Sequence, residues 1–140
     1  MGAGVKRAGL LALLVVASSV LTPAADAATG SATAKCTEGE FSGKFTLTYD
    51  IGTDKLRLKR GIGSAGPYIG DSGEMHVRVF YQDGPTENTV LRKSATGLRS
   101  DETGSVPVEG TKVPRSARSF VVVKFADSSG EKCTAKRELR

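Results

Sequence analysis

Tryptophan is missing from this chain, histidine occurs once, at His76, and cysteine occurs twice, at Cys36 and Cys133. One imidazole cannot build a histidine metal cluster, and the chain offers no cysteine–histidine nucleophilic pair. With no tryptophan and only three tyrosines, the aromatic platforms that sugar sites commonly use have little to be made from. No stretch of the chain shows the 3.6-residue apolar periodicity of an amphipathic helix. After the N-terminal run, no uncharged apolar stretch approaches the ~20 residues that a bilayer-spanning helix needs. The interleaving of basic and aromatic residues that marks single-strand nucleic-acid binders is also absent, so nucleic acid is not an expected partner.

What is present begins with an address. Lys6 and Arg7 precede an apolar run from Ala8 to Leu21, and Ala25-Asp26-Ala27 places small residues at the minus-three and minus-one positions of a cleavage site. Residues 1–27 therefore read as a signal peptide, and the product is expected to be secreted. Cys36 follows Lys35 and lies well beyond the apolar run, which argues against a lipid anchor. Residues 28–35 are small and polar and read as a flexible leader, and residues 36–140 as a single β-domain. In an oxidising compartment the two cysteines are expected to pair with each other. The chain-entropy model assigns a loop of that size on the order of 4.7 kcal/mol, a large part of the roughly 5–15 kcal/mol by which domains are stable.

The formal charge is +5, from 20 basic and 15 acidic residues. So mild an excess suits contact with an anionic surface, and it equally suits a domain that must stay dispersed.

Apolar residues recur with period two along the mature chain. Phe45, Leu47, Tyr49 and Ile51 alternate with Lys44, Thr46, Thr48 and Asp50, which predicts a half-buried strand. Leu56 and Leu58 predict a second strand, joined to the first as a hairpin through Gly52-Thr53-Asp54. The glycine-rich stretch 61–73 reads as a loop. Met75, Val77, Val79 and Tyr81 line one face of a third strand, with His76, Arg78 and Phe80 on the other. Short strands are expected over 88–94 and 98–100. Val106 and Val108 flank Pro107, which predicts an edge strand or an extended loop. The nearly continuous apolar run of Phe120 to Val123 and Phe125 predicts a central strand over 118–126, and 132–139 a last strand. Short strands with turn signals every 8–12 residues predict an all-β fold. We expect an immunoglobulin-like antiparallel β-sandwich of about seven strands with one disulfide.

No motif specifies a chemistry. The segment 61–66 has the GxGxxG spacing, but the glycines and Pro67 that follow it leave no helix to face a phosphate. Asp71, Ser72 and Glu74 precede His76 and are the right types for acyl transfer, without a nucleophile-elbow sequence around Ser72. The carboxylate pairs Glu38 with Glu40, Asp71 with Glu74 and Asp101 with Glu102 sit at predicted loops or strand ends. Asp50 with Asp54, or Asp71 with Glu74, lack the ligand count of a calcium loop. The densest basic group is Lys55, Arg57, Lys59 and Arg60; parity puts the first three on one strand face, and Arg92, Lys93, Arg115, Arg118, Lys136 and Arg137 are candidates to extend it. Lys112-Val113-Pro114-Arg115 reads as an exposed connection, the kind of segment a protease inhibitor presents.

Cys36, Phe41-Ser42-Gly43, Val113-Pro114, Ser116-Ala117, Ser119 to Val123, Phe125 and Cys133 together resemble small exported proteins of actinomycetes that have no assigned activity. Those proteins often carry a tryptophan before the late segment that this chain lacks. The resemblance implies an immunoglobulin-like sandwich and no reaction. The expectation is thus a secreted, non-enzymatic binding or structural module without cofactor or metal, contacting an anionic cell-envelope polymer or another secreted protein. A protease inhibitor using 112–115 and a small secreted hydrolase are the alternatives.

Overall fold

A computed structural model of the chain describes Gly2, Gly4, residues 28–70 and residues 72–140. The apolar run and cleavage site of the expected signal peptide, and Asp71, lie outside the described residues. Among the described residues nine strands follow one another: β1 (Ala28–Glu38), β2 (Phe41–Ile51), β3 (Lys55–Gly66), β4 (Gly73–Asp83), β5 (Thr86–Leu98), β6 (Gly104–Val106), β7 (Lys112–Pro114), β8 (Arg118–Asp127) and β9 (Lys132–Leu139). They form two antiparallel sheets. The first runs β1-β2-β3-β6, with β7 also paired to β3, and the second runs β5-β4-β8-β9. Among the described residues no helix is long and apolar enough to cross a membrane.

Alternation decides which side chains meet between the sheets. Phe45, Leu47 and Tyr49 of β2, Leu56 and Leu58 of β3, Met75, Val77 and Val79 of β4, and Val121, Val123 and Phe125 of β8 are all buried in one cluster. Each such side chain contributes about 1.5–3 kcal/mol through burial. Cys36 on β1 and Cys133 on β9 are bonded, with their Cα atoms 5.7 Å apart. The bridge therefore ties the edge strand of one sheet to the edge strand of the other, along a seam where β1 and β9 lie side by side. β8 takes a central place between β4 and β9, as its apolar run predicts.

Several expectations need correcting. Residues 28–35 are no flexible leader: they form most of β1, in unbroken register with β2 from Ala28↔Ile51 to Glu38↔Phe41. Their small side chains hide the pattern, yet Ala32 and Ala34 take inward positions at 4% and 1% exposure. Among the described residues the strands number nine rather than about seven, because β1 and the short β7 are additional, while 88–94 lies within β5, which ends at Leu98 and leaves 98–100 no strand of its own. The first part of the glycine-rich stretch is not a loop either, since β3 continues through Gly66. Gly61 and Gly63 face inward there because larger neighbours fill the space: a Cβ on Gly61 would lie 2.8 Å from Phe45 Cζ. The strand order also departs from the immunoglobulin one, in which the third strand crosses to the second sheet; here β3 stays beside β2.

Candidate functional site

The outer face of the first sheet can be read row by row from its register. One row is Thr29, Asp50, Arg57 and Lys112; the next is Ser31, Thr48 and Arg60; then come Thr33, Thr46 and Ile62, followed by Lys35, Lys44 and Ser64. All four basic residues singled out on β3 are exposed on this face: Lys55, Arg57, Lys59 and Arg60. The structure brings Lys112, Lys44 and Lys35 onto it as well. Seven cations thus stand on a face to which strand parity brings one carboxylate, that of Asp50, which lies 3.6 Å from the Lys59 ammonium; Glu38, the last residue of β1, has the opposite parity. Between the two cationic ends runs a belt of hydroxyls, with Thr33 and Thr46 bonded to each other at 3.1 Å.

Arg60 is present on this face because of a bulge. Thr48 pairs with Arg60 and Tyr49 with Leu58, so Lys59 is an extra residue on β3. Strict alternation after Leu58 would aim Arg60 into the core. The insertion lets Lys59 and Arg60 both point outward, after which Gly61, Gly63 and Ala65 resume the inward positions. Parity alone placed only Lys55, Arg57 and Lys59 together.

The acidic end of the same region does not resemble a cation site. Asp50 and Asp54 line a groove of about 480 Å³ that they share with Lys55, Arg57 and Lys112. Three positive side chains there oppose binding of a dication.

The histidine constellation is rearranged. His76 Nδ1 lies 2.8 Å from Ser94 Oγ and Nε2 lies 3.1 Å from Glu74 Oε2. Glu74 is the expected neighbour, whereas Ser94, brought across from β5, replaces Ser72. The Ser72 carbonyl instead accepts the Ser128 amide. The three residues stand on the outer face of the second sheet with His76 and Glu74 about half exposed, at 46% and 52%. Contacts so open to water are weak.

Lys112-Val113-Pro114-Arg115 is not an exposed connection. Its first three residues form β7, in register with Arg57, Leu56 and Lys55, and Val113 is fully buried. The Arg115 guanidinium donates to the Gly52 carbonyl at 2.9 Å. The remaining basic candidates divide between surfaces. Arg92 pairs in register with Arg78 on the second sheet, Arg118 is bonded to Glu138 at 3.2 Å, and Lys136 and Arg137 lie on β9 beside β1.

The outer face of the second sheet holds a feature that periodicity shows only in part. Phe80 and Phe120 stack there, with centroids 5.3 Å apart. Arg78 lies 4.3 Å from the Phe80 centroid, and the Lys136 ammonium 4.6 Å from that of Phe120. The cations roof the rings and keep them out of water.

Asp127 fastens the segment that passes between the sheets after Gly66. Its carboxylate accepts the Ser129 hydroxyl at 2.7 Å and the amides of Ile69 and Gly70 at 2.8 and 3.1 Å. The Ser129 hydroxyl foremost, and then the backbone amides, hold its pKa down at about 2. Nearby, Tyr68 packs on Phe41, and burial, followed by the Asp127 charge, raises its pKa. Among the described residues, no group of three or more histidine, cysteine or acidic side chains gathers as metal ligands do. No protein family, curated protein or solved structure matches the chain.

Proposed function

We propose that this protein is a secreted, non-enzymatic module that holds a linear anionic polymer of the cell envelope along the outer face of its first sheet. The observation that carries the reading is the excess of positive charge: Lys35, Lys44, Lys55, Arg57, Lys59, Arg60 and Lys112 against Asp50 on the same face, with Asp54 and Asp101 at its margins. Alternate residues of a strand recur about every 6.6 Å, so Lys55, Arg57 and Lys59 present charge at regular intervals to an extended chain. The hydroxyl belt adds donors and acceptors for a hydrated polymer. The leader-like N-terminal sequence and the resemblance to exported actinomycete proteins support an extracellular setting, as does a disulfide.

Binding of this kind gains free energy by releasing counterions, so it weakens steeply as salt rises. The test is retention on purified anionic cell-wall polymer across a salt series. The protein should bind at low salt and elute as salt increases. Replacing Lys55, Arg57, Lys59 and Arg60 together by serine should lower affinity and flatten the dependence of log K on log salt, by at most about one unit per cation removed. Binding that ignores salt, or a variant that binds as well as the parent, overturns the proposal.

A further inference from the structure

We infer that the seam between β1 and β9, where the cationic face of the first sheet meets β9, is a compact site for a tetrahedral oxyanion, a phosphate or sulfate group. A groove of about 590 Å³ opens there, lined by Ser31, Thr33 and Lys35 of β1, Lys44 of β2, and Lys136 and Arg137 of β9. Every lining side chain is a cation or a hydroxyl. The nearest carboxylate on β9, that of Glu138, is engaged by Arg118 at 3.2 Å.

The cations of the groove face one another, and the carboxylate of Asp101 lines only a neighbouring groove with Lys35 and Lys44. Lys35 and Lys44 are direct cross-strand partners, and like charges placed opposite each other destabilise a sheet. Arg137 occupies an inward position, paired with the fully buried Val121, yet it is exposed at the seam. Lys136 is held beside the groove by its contact with the Phe120 ring. The cations come in pairs from the two sheets, and the Cys36–Cys133 bond holds those sheets together at the end of the seam.

The donors suit an oxyanion with several terminal oxygens. A guanidinium fork offers paired N–H groups to two of them, and ammonium and hydroxyl groups are available for the rest. The groove shares Lys35 and Lys44 with the proposed polymer face and adds Lys136 and Arg137 of β9, whereas the four cations replaced in the polymer test all lie on β3. The β3 variant and a β9 variant can therefore fail separately. A different account of the same residues is that inward and edge cations only guard sheet edges against association, and it predicts no response to anions.

The experiment uses the oxidised full chain, with inorganic tripolyphosphate and inorganic sulfate as probes at constant ionic strength. Thermal unfolding and amide chemical shifts are followed together. Tripolyphosphate should raise the melting temperature and shift amides of residues 31–35, 44 and 136–137. The double variant Lys44→Gln, Arg137→Gln should melt at or above the parent without anion, bind tripolyphosphate roughly tenfold more weakly or worse, and lose the stabilisation. The β3 serine variant should keep it. A sulfate response of equal size supports the oxyanion site and names sulfate as its source; a response to tripolyphosphate alone supports it and names phosphate. Shifts centred on β3, no stabilisation by either probe, or an unchanged response in the double variant overturns the inference. If the double variant does not fold, Lys136→Gln alone reads the same loss.

Discussion

Gly43 of β2 lies directly beneath the Phe125 ring of β8, so close that a Cβ at position 43 would overlap three of its ring carbons. Cys36 is the register partner of Gly43, and Cys133 that of Phe125. This close contact between the two sheets and their covalent link thus occupy one layer. Gly43→Ala should cost about 1–3 kcal/mol by overpacking, seen as a lower urea midpoint. Polymer retention by the folded fraction should not change, because the residue faces away from the charged surface.

Removing the bridge acts on the unfolded chain. The cysteines are 97 residues apart, and freeing a loop of that length should cost on the order of 4 kcal/mol. Denaturant unfolding of the Cys36→Ser, Cys133→Ser variant, compared with the oxidised parent, measures it.

Asp127 makes stability depend on acid. Its folded pKa of about 2 lies below the ordinary value of 3.8, so its contribution is present in full above the ordinary value. That contribution is lost as pH falls toward 2 and the carboxylate protonates. Unfolding free energy measured from pH 6 to pH 2 should decline over the lower part of that range. Asp127→Asn should be less stable at neutral pH and should show a shallower decline.

The Tyr49 hydroxyl donates to the Arg140 carbonyl and accepts the Arg140 amide at 3.0 Å. Tyr49→Phe should cost about 1 kcal/mol and speed hydrogen exchange at the end of β9, while leaving amides in β4 and β8 protected.

His76→Ala separates binding from hydrolysis. Polymer retention should be unaltered, and turnover of a small activated ester should equal that of buffer for both proteins. Ester turnover that vanished in the variant would move function to Ser94, His76 and Glu74 on the second sheet.

Large alternating side chains made β2, β4 and the central place of β8 legible in advance, because Phe, Leu, Met and Val must leave water wherever the chain goes. The two cysteines had only each other to pair with. β1 was not legible, since alanine, serine and threonine carry no strong pattern and its strand form depends on the open edge of β2. β7 is three residues long, and the burial of Val113 exists only once β3 lies beside it.

The amino-acid order by itself determined an all-β chain, one sulfur pairing and a basic group beginning at Lys55. Tertiary structure alone decided what that group became. Pairing with β2 inserts Lys59 as an extra residue and turns Arg60 out of the core, and packing of the two sheets sets Lys136 and Arg137 beside Lys35 and Lys44. Charge along a chain is a local property, whereas the meeting of charges from distant strands depends on register and on which edges come together.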